Sequence, residues 1–120
     1  MRKIGPQLEE TRKLIVLLEK TSKKTKNRIW RRIAEYLKGS RSHHAEINVG
    51  VLSRLTHANE VVVVPGKVLG DGEIDHSIKV AAYRFSKSAY DKISSAWGKC
   101  ITIEELIKEN PNGTGVRIIV

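Results

Sequence analysis

Residues 60–85 read EVVVVPGKVLGDGEIDHSIKVAAYRF, and the fold turns on how this stretch is read. Val61 to Val64 is an unbroken β-branched run with no alternating polar positions, which predicts a strand covered on both faces. Pro65-Gly66 predicts its end, because proline has no N–H for a continuing ladder and glycine lets the chain turn. A polar loop carrying Gly66, Gly70 and Gly72 follows, and then a second apolar strand from Ile78 to Phe85. The two strands form a scaffold that presents the loop at one edge.

The loop matches no ligand motif. A phosphate-cradling loop needs four residues between its glycines and then Gly-Lys-Ser/Thr, whereas here Lys67 follows the first glycine. A dinucleotide fingerprint needs a third glycine where Asp75 stands. Asp71, Glu73 and Asp75 alternate, so an extended chain would set three carboxylates on one side. A calcium loop, however, wants glycine at His76 and a bidentate glutamate at Ala82. The expectation is a solvated connection whose glycines permit positive φ.

At 120 residues and 40% apolar content the chain predicts one domain with a largely aliphatic core. A single cysteine, Cys100, excludes an internal disulfide and reads as a small core hydrophobe at the start of a short strand. The longest N-terminal apolar run, Leu14 to Leu18, is too short for a signal or membrane segment, so a cytosolic protein is expected.

The net charge of +9 is confined to one part of the chain. Residues 1–58 carry 14 Lys and Arg against 5 Asp and Glu, and residues 59–120 carry 8 of each. That asymmetry predicts a polyanion-binding part joined to a neutral packed body. Met1 to Pro6 is a basic lead with Arg2 and Lys3. From Gln7 the spacing of Leu8, Thr11, Ile15 and Leu18 predicts a helix, with Glu9/Lys13 and Glu19/Lys23 as supporting pairs. Lys20 to Arg32 then holds seven basic residues in thirteen (Lys20, Lys23, Lys24, Lys26, Arg28, Arg31, Arg32) and no acid. Thr21, Ser22 and Thr25 are expected to end the first helix and open the second, which buries Ile29, Ile33 and Leu37 beside Trp30 and Ala34. A solvated face usually intersperses both signs, and a one-sign run predicts nucleic-acid contact.

Lys38 to His44 is a cationic linker in which Arg41, His43 and His44 could reach phosphates or bases; no zinc spacing links its histidines to Cys100, His57 or His76. A short helix from about Gly50 follows, with Arg54 pointing outward. Ser86 or Ser88 caps a later helix, with Ser88/Asp91 as a capping box and Gly98 as its left-handed C-terminus. Thr102/Glu105 makes a second box, Asn110 to Gly113 closes that helix, and Val116 to Val120 is a last strand. The fold class is α/β: a small mixed β-sheet with packed helices, preceded by a basic N-terminal helical pair.

The strings VVVVPGKVLGDGEIDHSIKVAAYRFS and GKCITIEELIKENPNGTGVRII, with an IWR-x-IAE-x-L core over Ile29 to Leu37, closely resemble the ribosomal protein L-eighteen-e family. This family belongs to the large subunit of archaeal and eukaryotic-type ribosomes and is related in fold to the bacterial L-fifteen family. Trp97 departs from the family pattern, which has a small residue there. The resemblance implies a structural constituent of the large subunit that binds ribosomal RNA and contacts neighbouring ribosomal proteins. It implies no cofactor, metal, membrane or small-molecule substrate.

The expected RNA contacts are Arg2, Lys3, Lys20, Lys23, Lys24, Lys26, Asn27, Arg28, Arg31, Arg32, Lys38, Arg41, His43, His44, Arg54 and Lys67. Two other functions compete. An enzyme would have to act through Asp71, Glu73, Asp75 and His76, which fit no reaction signature. A non-ribosomal RNA- or DNA-binding module could use the same basic helices, though aromatics are too few for a base-stacking sheet.

Overall fold

The computed structural model describes residues 6–38 and 45–120. In chain order the elements are α1 (Pro6–Thr25), α2 (Arg28–Lys38), β1 (Ala45–Asn48), α3 (Val49–Leu55), β2 (Val61–Leu69), β3 (Lys79–Phe85), α4 (Lys87–Ser95), β4 (Lys99–Thr102), α5 (Ile103–Glu109) and β5 (Val116–Ile118).

β2 is the centre of the sheet. β3 pairs along one of its edges, from Val61 with Lys79 to Val68 with Phe85, and β4 lies beyond β3. The opposite edge is shared: β5 covers Val61–Val63 and β1 covers Gly66–Leu69. The helices-on-sheet architecture is that of the sequence reading, but every pairing among the described residues is parallel where a mixed sheet was expected. The cause lies in residues 70–78. They carry the chain back to start β3 level with the start of β2, where a hairpin would have reversed its direction.

Pro65-Gly66 does not end β2. The register slips between Val64 and Lys67, at the point where the edge partner changes from β5 to β1. A bulge tolerates proline's missing N–H. A Cβ on Gly66 would lie 2.0 Å from the Ala45 carbonyl oxygen, so only glycine lets β1 come this close.

The unalternating valine run is explained by two cores. Val63 and Ala81 face a layer containing Leu14, Leu18, Trp30, Ile33, Leu37, Ile103 and Leu106. Val62, Val64, Val68 and Val80 face the opposite layer, with Val49, Leu52, Ala89 and Ile93. Each buried aliphatic side chain contributes about 1.5–3 kcal/mol on either side. The result is a flat body of 40 × 38 × 19 Å.

Three local expectations change. The helix-opening role falls to Asn27: Thr21 and Thr25 donate back to Leu17 and Thr21 carbonyls, while the Asn27 side-chain oxygen accepts from the Ile29 N–H at 3.0 Å. Of the two serines expected to cap α4 it is Ser86 that does so, its hydroxyl accepting from the Ala89 N–H, so Ser88 lies inside the helix and the Ser88/Asp91 box is not the cap. At its other end Trp97, not Gly98, takes the left-handed conformation, with φ 67°. The Thr102/Glu105 capping box of α5 is formed in both directions.

Candidate nucleic-acid interface

α1 and α2 form a helical hairpin over one face of the sheet. In α2 the apolar spacing buries Trp30, Ile33, Ala34 and Leu37, which leaves Arg28, Arg31, Arg32 and Lys38 exposed. The Trp30 indole N–H donates to the Pro111 carbonyl at 2.8 Å, and the Asn27 amide donates to the Asn112 carbonyl at 2.6 Å. These bonds hold the α1–α2 turn against the loop before β5. The Ser22 hydroxyl donates across the turn to the Asn27 carbonyl at 2.9 Å, and Lys26 adopts φ 61° at the corner.

This geometry opens a groove of about 510 Å³ between the helices, lined by Glu19, Ser22, Lys23, Lys26, Arg28 and Arg31. Four cations face one acid there. Glu19 is held by the Lys38 ammonium at 2.5 Å instead of the expected Lys23, and that hydrogen bond keeps its carboxyl below the usual range. Glu9 and Lys13 form no ion pair among the described residues. Arg31 meets Glu35 at 3.7 Å, with both side chains well exposed, a contact that contributes little to stability. The groove therefore carries a surplus of positive charge.

Lys20, Lys23, Lys24, Lys26, Arg28, Arg31 and Arg32 are thus brought together, all exposed. Lys13, absent from the candidates, joins Lys20 and Lys24 on one helical face through spacings of seven and four, a signal the sequence carried. Asn27 is committed to the fold by both ends of its amide, and Lys38 is tied to Glu19. Arg54 ends α3 beneath the opposite face of the sheet, and Lys67 sits beside Arg84 toward the far end of β2. Neither belongs to the hairpin cluster. Arg2, Lys3, Arg41, His43 and His44 lie outside the described residues.

The loop carboxylates do not converge. Glu73 is taken by Lys92 at 3.1 Å and Asp75 by His76 at 2.8 Å, a bond that lowers the Asp75 carboxyl. His76 also meets the Thr56 hydroxyl at 2.8 Å, so carboxylate, imidazole and hydroxyl stand in a row. Thr56 is only 5% exposed and its hydroxyl donates to the Leu52 carbonyl, which withholds it from any substrate. Among the described residues no group of three or more His, Cys, Asp or Glu side chains is placed to hold a metal ion, and no helix is long and apolar enough to cross a membrane.

The family model for ribosomal protein 60S L18 and 50S L18e matches residues 6–120. The chain belongs to the L18/L18e family of ribosomal proteins. Among its L18e relatives, the protein of Archaeoglobus fulgidus is 48% identical over 120 residues, covering all of both chains. That of Methanopyrus kandleri is 48% identical across 96% of this chain and 94% of its own. That of Methanoregula boonei is 44% identical across 99% and 96%. Each of these relatives is named large ribosomal subunit protein eL18.

Proposed function

We propose that this protein is a structural constituent of the large ribosomal subunit, and that its α1–α2 hairpin grips ribosomal RNA phosphates. The observation that carries the RNA reading is the groove of Lys23, Lys26, Arg28 and Arg31, whose charge exceeds what Glu19 can neutralise. Exposed lysines displace counterions from the RNA backbone, and arginine forks take phosphate oxygens two at a time. The flat body then fills space between RNA segments and neighbouring ribosomal proteins in the cytoplasm. Its work is positional, without catalysis.

Two measurements test this. In a sucrose gradient of cell extract the protein should travel with the large subunit until stripped by salt; sedimentation only at the top of the gradient would favour the non-ribosomal nucleic-acid module. Arg28, Arg31 and Arg32 changed together to Glu should abolish association with a large-subunit RNA transcript while thermal unfolding stays nearly unchanged. Unaltered affinity in that variant would remove the hairpin from the interface.

A further inference from the structure

Trp97 carries two unfavourable features that no contact among the described residues offsets. Its side chain is 90% exposed, and its backbone sits at φ 67°, in the left-handed region that bulky residues rarely adopt. The stem beneath it is rigid. The Trp97 N–H donates to the Ser94 carbonyl at 3.0 Å, the Gly98 N–H to Ile93 at 2.9 Å and the Lys99 N–H to Ile78 at 3.0 Å. A Cβ on Gly98 would lie 2.5 Å from the Ile78 oxygen, so the chain passes closer to Ile78 here than any residue but glycine allows. The indole is therefore held out into solvent.

Beside it runs a groove of about 330 Å³ lined by Asn59, Glu60, Ser77, Lys79 and Lys99 around a strip of Val61 and Ile78. Each acid near this groove has its own cation: Glu60 meets Arg117 at 3.6 Å, and Glu109 meets Lys79 at 2.7 Å. Lys99 forms no ion pair among the described residues, so the surplus charge is positive.

The position is equally informative. Val116, Val61, Lys79 and Lys99 lie in one register row across β5, β2, β3 and β4. The loop before β5 holds the α1–α2 turn through Asn112 and Pro111. The hairpin turn and Trp97 therefore lie toward the same end of the sheet, beside strands β5 and β4, whose row partners Val116 and Lys99 are three strand spacings or roughly 15 Å apart.

We propose that Trp97 is a stacking platform for one unpaired RNA base, with Lys99 meeting the adjoining phosphate, and that it extends the RNA face from the hairpin turn across this end of the sheet. This rests on the reading that the hairpin binds ribosomal RNA. A protein hot spot surrounds its aromatic anchor with apolar contacts that exclude water. A lone ring in a polar, cationic setting instead suits the flat face of a base, which stacks whatever its sequence. One ring serves one base, so this platform needs none of the aromatics that a sheet-wide stacking surface would require.

The chain has two tryptophans, and Trp30 is fully buried, so exposed-type emission reports Trp97. Binding of a large-subunit ribosomal RNA transcript to the full-length protein should quench that emission. Trp97→Gly relieves the left-handed backbone, so it should fold at least as well as the parent. It should nevertheless bind the transcript about 5- to 100-fold more weakly, with an unchanged salt slope because no phosphate contact is lost. Trp97→Phe should bind like the parent.

If the parent binds RNA and the Arg28/Arg31/Arg32 variant does not, yet the Trp97 emission is unmoved and Trp97→Gly binds normally, this inference falls and the hairpin reading stands. Protection of Trp97 only after large-subunit proteins are added would assign it to a protein contact and overturn the stacking role. Failure of the parent to bind RNA removes both readings.

Discussion

Lys92 reaches from α4 into the 70–73 segment, where its ammonium donates to the Gly70 and Gly72 carbonyls at 2.8 and 2.6 Å and meets the Glu73 carboxylate. Three acceptors converge on a group with three donors, so the lysine does for this loop what a bound cation would. Lys92→Met leaves two carbonyls without their charged donor. Because the site is partly exposed, water replaces some of the loss, and the expected cost is about 1–2 kcal/mol in urea unfolding. Amide exchange in residues 70–77 should accelerate more than in β2. Cys100 makes a second prediction at this scale. Burial pushes its thiol up to about 11, so at pH 8 very little is thiolate. An aromatic disulfide reagent should react slowly with the folded protein and promptly once urea unfolds it.

At the scale of elements, α5 is the clearest case of local control. Thr102 accepts from the Glu105 N–H at 3.0 Å, and the Glu105 carboxylate accepts from the Thr102 N–H at 2.9 Å. Thr102→Ala should cost about 1 kcal/mol of stability. The return bond, first from the Thr102 backbone, holds the Glu105 carboxyl below its ordinary 4.5. Hydrogen bonds from Lys38 and His76 lower Glu19 and Asp75 in the same way. A depressed carboxyl binds its proton more weakly when folded, so its contribution is complete above the ordinary value and is lost as pH falls through the lowered one. The melting temperature should therefore decline on acidification below about pH 4.5, and Glu105→Gln should flatten part of that decline. The α5 box was legible because its signal spans only four residues. β1 was not: Ala45–Asn48 offers one large apolar side chain, Ile47, and is a strand only because β2, about twenty residues on, accepts it. Pro65-Gly66 misled for the same reason, since locally it says stop and only the change of edge partner makes it a bulge.

Across the whole molecule the charge division is sharper than any single contact. Among the described residues, 6–38 carry ten Lys and Arg against four Asp and Glu, a net of +6, whereas 45–120 carry nine of each. That much was legible by counting. Which cations lie together was not, because Arg54 and Lys67 are separated from the hairpin by the sheet's own thickness and length, and Lys38 is bonded to Glu19. The division sets the salt dependence of RNA association. If Lys20, Lys23, Lys24, Lys26, Arg28, Arg31 and Arg32 each displace one counterion, log affinity should fall with log salt at a slope of about −5 to −6. Between 50 and 200 mM salt that is a loss of about 10³–10⁴. Lys24→Ala should reduce the slope by about 0.7–0.9 for any RNA sequence, while Arg54→Ala and Lys67→Ala should leave it unchanged. Nitrocellulose-filter binding of the transcript across a salt series measures all four slopes. A parental slope near −2 would mean that most of these cations face water in the complex, and the hairpin would then be a solvated surface.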